Sequence, residues 1–283
     1  MDETKGWAMS QESADDLPHA AHHATVRAAF TRQARAYAAS PLIADPARIA
    51  RLLDAAAPPP AARALEVATG PGHIALALAS RVRAVVGIDL TPAPLAIAEE
   101  NRRQRAIANV AFLEGDASRL PFPNGAFDLV LCRLAFHHFI DPAAALAEMA
   151  RVCRRDGRVV IEDVIVSEHP ERAAYQNRFE NLRDESHTRA LPLSALLQLF
   201  AGAGLEVEAV QTGTLEQNLD DWLVRAGTPP DRAAQVRALI ERDAAEDLSG
   251  TRPLRRNGSF VFTQRTAIVV GRPLGMDRSG GIS

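Results

Sequence analysis

The stretch Leu65-Glu66-Val67-Ala68-Thr69-Gly70-Pro71-Gly72 is the first in this sequence whose residue types and spacing could do chemistry. Glycine lets a backbone pass close to a ligand, and a helix that starts after such a turn offers it unpaired N–H groups. Asp89 closes the next apolar run, about 20 residues on, where a carboxylate can accept both ribose hydroxyl protons of an adenosine cofactor. A solvated strand-end aspartate is the plainer reading, and the spacing to the turn weighs against it. With Ala75 the turn also meets a loose dinucleotide fingerprint, so a nicotinamide oxidoreductase has to be weighed.

Proton-transfer candidates lie further along. His137 and His138 follow the fourth apolar run, at the sheet end where ligands bind in such folds, and a structural or cofactor-side role is the favoured reading of the pair. Asp163 ends the fifth run on the same side and could orient a substrate or a base. His187 sits in the polar segment Asp184-Glu185-Ser186-His187-Thr188-Arg189, expected on a surface helix, where a histidine is usually just solvated. Phe30 and Tyr37 could close over a cofactor or serve ordinary packing. His19, His22 and His23 could share a helical face and hold an adventitious metal, but no fourth ligand accompanies them and solvated rings are expected.

The composition removes several classes. Lys5 is the sole lysine, which excludes Schiff-base chemistry and a lysine-bearing phosphate loop. Two cysteines, Cys132 and Cys153, make neither a disulfide framework nor a metal site, and no metal is expected. A net charge of -3 provides no field for nucleic acid or an anionic membrane. No apolar run spans a bilayer and the N-terminus carries no signal-like segment, so a cytoplasmic setting without membrane contact is expected.

The elements that must position these residues alternate short apolar runs with helical stretches, the signature of a parallel sheet covered by helices. Strands are expected at Ala64–Ala68, Ala84–Asp89, Val110–Leu113, Phe127–Cys132, Arg158–Val164, Leu205–Val210 and Phe260–Val270. Helices fall at Pro92–Arg105 and Pro142–Val152, the latter striped by Ala145, Leu146, Met149 and Val152. Residues 1 to about 20 read as a disordered tail, 24–55 as helical, and Pro58-Pro59-Pro60 as a boundary. The polar segments 167–192 and 216–252 read as helical insertions.

Further motifs separate the readings. Gly115-Asp116-Ala117 follows the third strand, Leu120-Pro121-Phe122-Pro123 leads to Phe127-Asp128-Leu129-Val130, and Arg151-Val152 leads to Asp156-Gly157 before the fifth strand. Together with the glycine turn and Asp89, in this order, the stretch from about Ala61 to Val166 resembles the class I S-adenosylmethionine-dependent methyltransferases. Within that class it resembles the group that includes the ubiquinone and menaquinone C-methyltransferases. Ala68 and Thr69 depart mildly from it, since that group favours glycine or a small polar residue there.

The resemblance implies a Rossmann-like α/β fold: a seven-stranded, mostly parallel sheet with helices on both faces, an antiparallel last strand beside the fifth, and a helical cap. Residues 1–60 would form the tail and part of the cap. Residues 61–271 would form the cofactor-binding domain, with cap insertions at 167–192 and 216–252, and 272–283 a flexible tail. The cofactor would be S-adenosyl-L-methionine. Glu66, Gly70 and Gly72 would line its methionine part, Asp89 would hold the ribose, and Leu90 would pack on the adenine. Asp116 would accept from the adenine amino group, and the Ala117 backbone would serve the ring. Arg133 would sit near the methionine amino end, with no demand on its guanidinium. Asp128 would be architectural.

Methyl transfer asks mainly for alignment and exclusion of water, so a base is needed only for a hydroxyl or a carbon acid. His187, His138 and Asp163 are the candidates for that task. The expected activity is methyl transfer to O, N or C of a small-molecule acceptor, with no nucleic acid involved. The rivals are a cofactor-binding protein that catalyses a non-methylating rearrangement or cyclisation or that regulates, and the nicotinamide oxidoreductase, which leaves Gly-Asp-Ala and the later motifs without a purpose.

Overall fold

The structure, a computed structural model, describes residues 16–274. Its sheet runs in the order β3-β2-β1-β4-β5-β9-β7, where β1 is Arg63–Val67, β2 Ala84–Asp89, β3 Val110–Glu114, β4 Phe127–Arg133, β5 Cys153–Val166, β7 Leu205–Asn218 and β9 Ser259–Pro273. The first five are parallel, and β9 enters antiparallel between β5 and β7, as the resemblance implied. The expected seven strands are all present, but the sheet has nine. Leu191–Pro192 (β6) adds to β5 and Leu254–Arg256 (β8) to β9, both too short to leave an apolar run in the sequence.

Alternation along the strands sorts the two faces. Leu65, Val67, Val130, Cys132, Val159, Ile161, Ala267 and Val269 pack with α5 (Pro142–Val152) and α7 (Leu193–Gly202). Ala64, Leu129, Leu131, Val160, Ile268 and Val270 pack with α2 (Pro46–Ala56) and α3 (His73–Leu78). Glu66, Arg133 and Glu162 fall in the α2–α3 register, whereas Asp163 falls on the α5–α7 face. Helix starts are built from capping chemistry: Asp45 accepts from Ala47 N ahead of Pro46, and Asp141 from Ala144 N ahead of Pro142, both at 2.9 Å.

Several boundaries move. The N-terminal helix α1 spans Asp16–Ala38, so helix replaces the tail expected up to residue 20. The earlier part of that tail, residues 1–15, lies outside the described residues. Arg272 and Pro273 belong to β9, and residues 275–283 of the expected loose tail likewise lie outside. The sixth strand continues well past Val210 to Asn218, because its polar second half runs along the sheet edge paired to β9. The insertions 167–192 and 216–252 supply α6 (Pro170–Arg183), α8 (Leu219–Ala226) and α9 (Pro230–Glu246). They share a core of their own, in which Phe179, Trp222 and Phe262 meet edge to face at 5.0–6.0 Å. No described helix is long and apolar enough to cross a membrane.

Candidate active site

A cleft enclosing about 1270 Å³, mouth included, opens at the carboxyl ends of β1, β2, β3 and β4 and runs beneath α1. One half of it is backbone. Ala68, Gly70 and Gly72 all take positive φ (55°, 53° and 80°), which winds the chain tightly between β1 and α3. A Cβ on Gly70 would meet nothing within 4 Å, whereas one on Gly72 would lie 2.8 Å from the Phe112 ring and 2.9 Å from Ala98. Gly70 thus leaves room toward the cleft, and Gly72 is required by packing. Ala68 bears a methyl in the left-handed region, the strained counterpart of its departure from the family pattern.

Carboxylates hold this turn in shape. Glu66 is buried, and its Oε2 accepts from Thr69 Oγ1 at 2.5 Å and Ala75 N at 2.8 Å. Burial pushes its carboxyl up to about 8, against the pull of those two bonds. Asp89 accepts from Gly70 N and Thr91 N, each at 2.8 Å, and burial raises its carboxyl as well. A Cβ on Gly115 would lie 2.6 Å from the end of the Ile88 side chain, which would have to shift to admit one. Asp116 caps the following turn by accepting from Ser118 N, and its other oxygen lies 3.8 Å from His23 Nε2. Leu90 and Ala117 complete this end of the cleft.

Arg133 rises from the floor, and its guanidinium is more engaged than expected. Nε donates to Glu162 at 2.9 Å and Nη1 to the Ile43 carbonyl at 2.8 Å, while Nη2 is buried without a partner among the described residues. Every residue expected at the cofactor site therefore lines this one cleft except Gly72, which packs behind the turn.

The other half is made of side chains. From α1 come His19, His22, His23, Val26, Phe30, Ala34 and Tyr37, facing Leu134, His138, Phe139 and Ile140. The three histidines expected in solvent are thus at the cleft. His22 Nε2–H donates to the His138 carbonyl at 2.7 Å and ties the helix down. Among the described residues no cluster of His, Cys, Asp or Glu could hold a metal.

The three proton-transfer candidates do not share the cleft. His138 lines it, with the Phe30 ring 4.9 Å away. Asp163 is on the opposite face of β5, as alternation dictates, bonded at 2.6 Å to His137 Nδ1. Burial works against the His137 cation, but the Asp163 charge and hydrogen bond outweigh it and hold its ionisation above the usual histidine range. His187 is buried rather than on a surface helix, and its Nε2 meets Asn177 Oδ1 at 3.0 Å. That oxygen accepts, since the amide nitrogen of Asn177 already donates to two carbonyls, so His187 carries its proton on Nε2. The polar residues behind the cleft, Gln33, Asp184 and Ser186, were not singled out from sequence; only the density of polar residues in 184–189 hinted at them.

A glycine turn, a strand-end carboxylate and a Gly-Asp turn at the carboxyl edge of a parallel sheet with an antiparallel last strand define a nucleoside-binding transferase of the Rossmann-like class. Residues 65–161 match the methyltransferase domain family. The methyltransferase YcgJ of Bacillus subtilis, whose own role is uncharacterised, is 37% identical over 174 residues, covering 62% of this chain and 69% of that one. Its crystal structure superposes with a TM-score of 0.76 over 80% of this chain and 97% of that one. YafE of Escherichia coli is 31% identical over 190 residues, 67% of this chain and 91% of that protein. A demethylmenaquinone methyltransferase of Thermus thermophilus is 46% identical over 101 residues, which are 35% of this chain and 46% of that enzyme. The chain belongs to the class I S-adenosylmethionine-dependent methyltransferases. The nicotinamide reading is thereby set aside.

Proposed function

We propose that this enzyme moves the methyl group of S-adenosyl-L-methionine to O, N or C of a small acceptor with an apolar body, seated between α1 and the loop after β4. The observation that carries the reading is the division of the cleft. A backbone-built half with carboxylates at Glu66, Asp89 and Asp116 runs into an apolar half walled by Val26, Phe30, Ala34, Phe139 and Ile140.

The residues present fit the cofactor. Gly70 leaves the turn open for close approach, and the unpartnered Nη2 of Arg133 is a donor in want of an anion, which the methionine carboxylate would supply. Glu66 would face the amino end, Asp89 the ribose hydroxyls, Leu90 and Ala117 the adenine, and Asp116 its amino group. Gly72 would act indirectly, by allowing the turn. The bound cofactor supplies an activated methyl group on a sulfonium. The chain's residues align the acceptor and exclude water. Of the three proton-transfer candidates, His138 is the one in reach of an acceptor, with His187 and Asp163 supporting the wall behind it. Residues 61–271 serve as the cofactor domain, and α1 with the two insertions as the part that selects the acceptor. Helix α2, by its packing, belongs to the sheet layer.

The test is methyl-labelled S-adenosylmethionine offered with a small-molecule extract, total RNA and a protein fraction in separate reactions. Label entering the small-molecule fraction supports the reading. Label entering RNA or protein overturns it.

A further inference from the structure

We propose that Asp184 and Ser186, reaching in from the insertion after β5, fix the tautomer of His138 so that its Nε2 is a standing proton acceptor in the cleft. The acceptor's nucleophile then carries a proton it must lose: a phenolic or enolic O–H, or a carbon acid. The inference rests on the reading of the cleft as a methyl-transfer site and names its acceptor class.

The argument is hydrogen-bond accounting. Ser186 is fully buried, and its hydroxyl lies 2.6 Å from Asp184 Oδ1 and 3.2 Å from His138 Nδ1. Asp184 also accepts from the Ser186 amide at 3.0 Å and from Gln33 Nε2 at 3.2 Å, so its oxygens serve as acceptors throughout. Burial opposes its ionisation, but the charge that His138 takes on at low pH, the Arg183 charge and the Ser186 bonds carry it below the usual carboxylate range, so it is ionised where His138 is neutral. An ionised carboxylate can only accept, so the single hydroxyl proton of Ser186 points to Asp184. The serine oxygen can then only accept from the ring, and Nδ1 must carry the proton.

That leaves Nε2 with its lone pair free. His138 lines the cleft, its side-chain contact runs through Nδ1, and the Ser186 backbone also hydrogen-bonds the ring. The surroundings keep the ring neutral: burial, and next the charge on His137, push it down to about 4. The facing groups are His137 at 4.3 Å, held by Asp163, neutral His187 at 6.2 Å, Asp184 behind Ser186, and His22, which donates to the backbone of His138. A neutral ring of lowered basicity with a fixed lone pair can take a proton only from a nucleophile whose acidity rises as its bond to the methyl carbon forms. The proton passes to Nε2, and the electron pair it leaves forms the new bond to the methyl carbon as that carbon's bond to sulfur breaks. The imidazolium then returns the proton to solvent.

The experiment is long-range proton–nitrogen correlation NMR at pH 7 on the full chain labelled with ¹⁵N-histidine, with His138 identified by its loss in His138→Asn. The expected wild-type ring shows a protonated Nδ1 and an unprotonated Nε2. Ser186→Ala should lose the single tautomer and give a mixture, and Ser186→Thr, which keeps the hydroxyl, should restore it. An Nε2–H ring in the wild type, or a Ser186→Ala spectrum unchanged from it, overturns the proposal. Calorimetry with S-adenosylhomocysteine on the same samples separates this failure from failure of the cofactor reading, because the relay lies apart from the glycine turn.

Discussion

The two halves of the cleft are built by opposite means. The half built around the glycine turn is local: Thr69 and Ala75 both donate to Glu66 within ten residues, and Asp89 accepts from Gly70 across one βα unit. The acceptor half is assembled across the chain, with His22 bonded to His138, Gln33 to Asp184, and Ser186 to His138. The difference teaches where each half can vary. On the proposed reading, backbone and carboxylates suit a fixed cofactor, and side chains gathered from distant segments suit the wall facing the acceptor.

The largest expected effect would break the comparison if it failed. Gly72→Val combines a left-handed φ with overlap against Phe112 and Ala98 and should cost about 2–5 kcal/mol of stability, read as denaturant midpoint. Gly70→Val meets open space, so it should cost only about 1–2 kcal/mol yet abolish cofactor binding. Equal stability losses in the two would contradict the division between packing and ligand approach.

Asp89→Ala comes next. Loss of charge-assisted bonds worth about 1.5–3 kcal/mol each should weaken S-adenosylhomocysteine binding at least ~10-fold in a folded protein. Glu66 gives a pH dependence with a definite sign. Its carboxyl is protonated below about 8, whereas an ammonium partner favours the ionised form, so binding should tighten as pH rises from 6 toward 8 and level off above. Glu66→Gln should flatten that slope in calorimetry across pH, and a slope that persists in the variant would remove Glu66 from the amino end. The smallest effect is a gain: Ala68→Gly relieves the left-handed strain and should stabilise by about 0.5–1 kcal/mol in thermal unfolding.

The same contrast explains what was legible in the sequence. The bounds of β2 and α5 were readable to the residue, because Ala84–Asp89 is an apolar run closed by a carboxylate and Pro142–Val152 is a capped helix with an apolar stripe. The glycine turn and Asp89 were singled out by type and spacing and Asp116 through the family resemblance, and Gly70, Asp89 and Asp116 line one cleft. The second half of β7 was not, since an edge strand exposes Gln211, Thr212 and Thr214 and loses its apolar signal. Nor was the burial of His187, Ser186, Asp184, Arg183 and Glu180. Polar residues buried by pairing with one another look in sequence like a solvated face. The choice of His138 over His187 and Asp163 as the proposed proton acceptor rests on which of them lines the cleft, which only three-dimensional contacts decide.

The most direct test of the central claim is calorimetric titration of the full wild-type chain with S-adenosylhomocysteine and, separately, with NAD. The account predicts saturable one-to-one binding of S-adenosylhomocysteine and no heat of binding with NAD. Binding of NAD, or silence with S-adenosylhomocysteine in a folded sample, would contradict it.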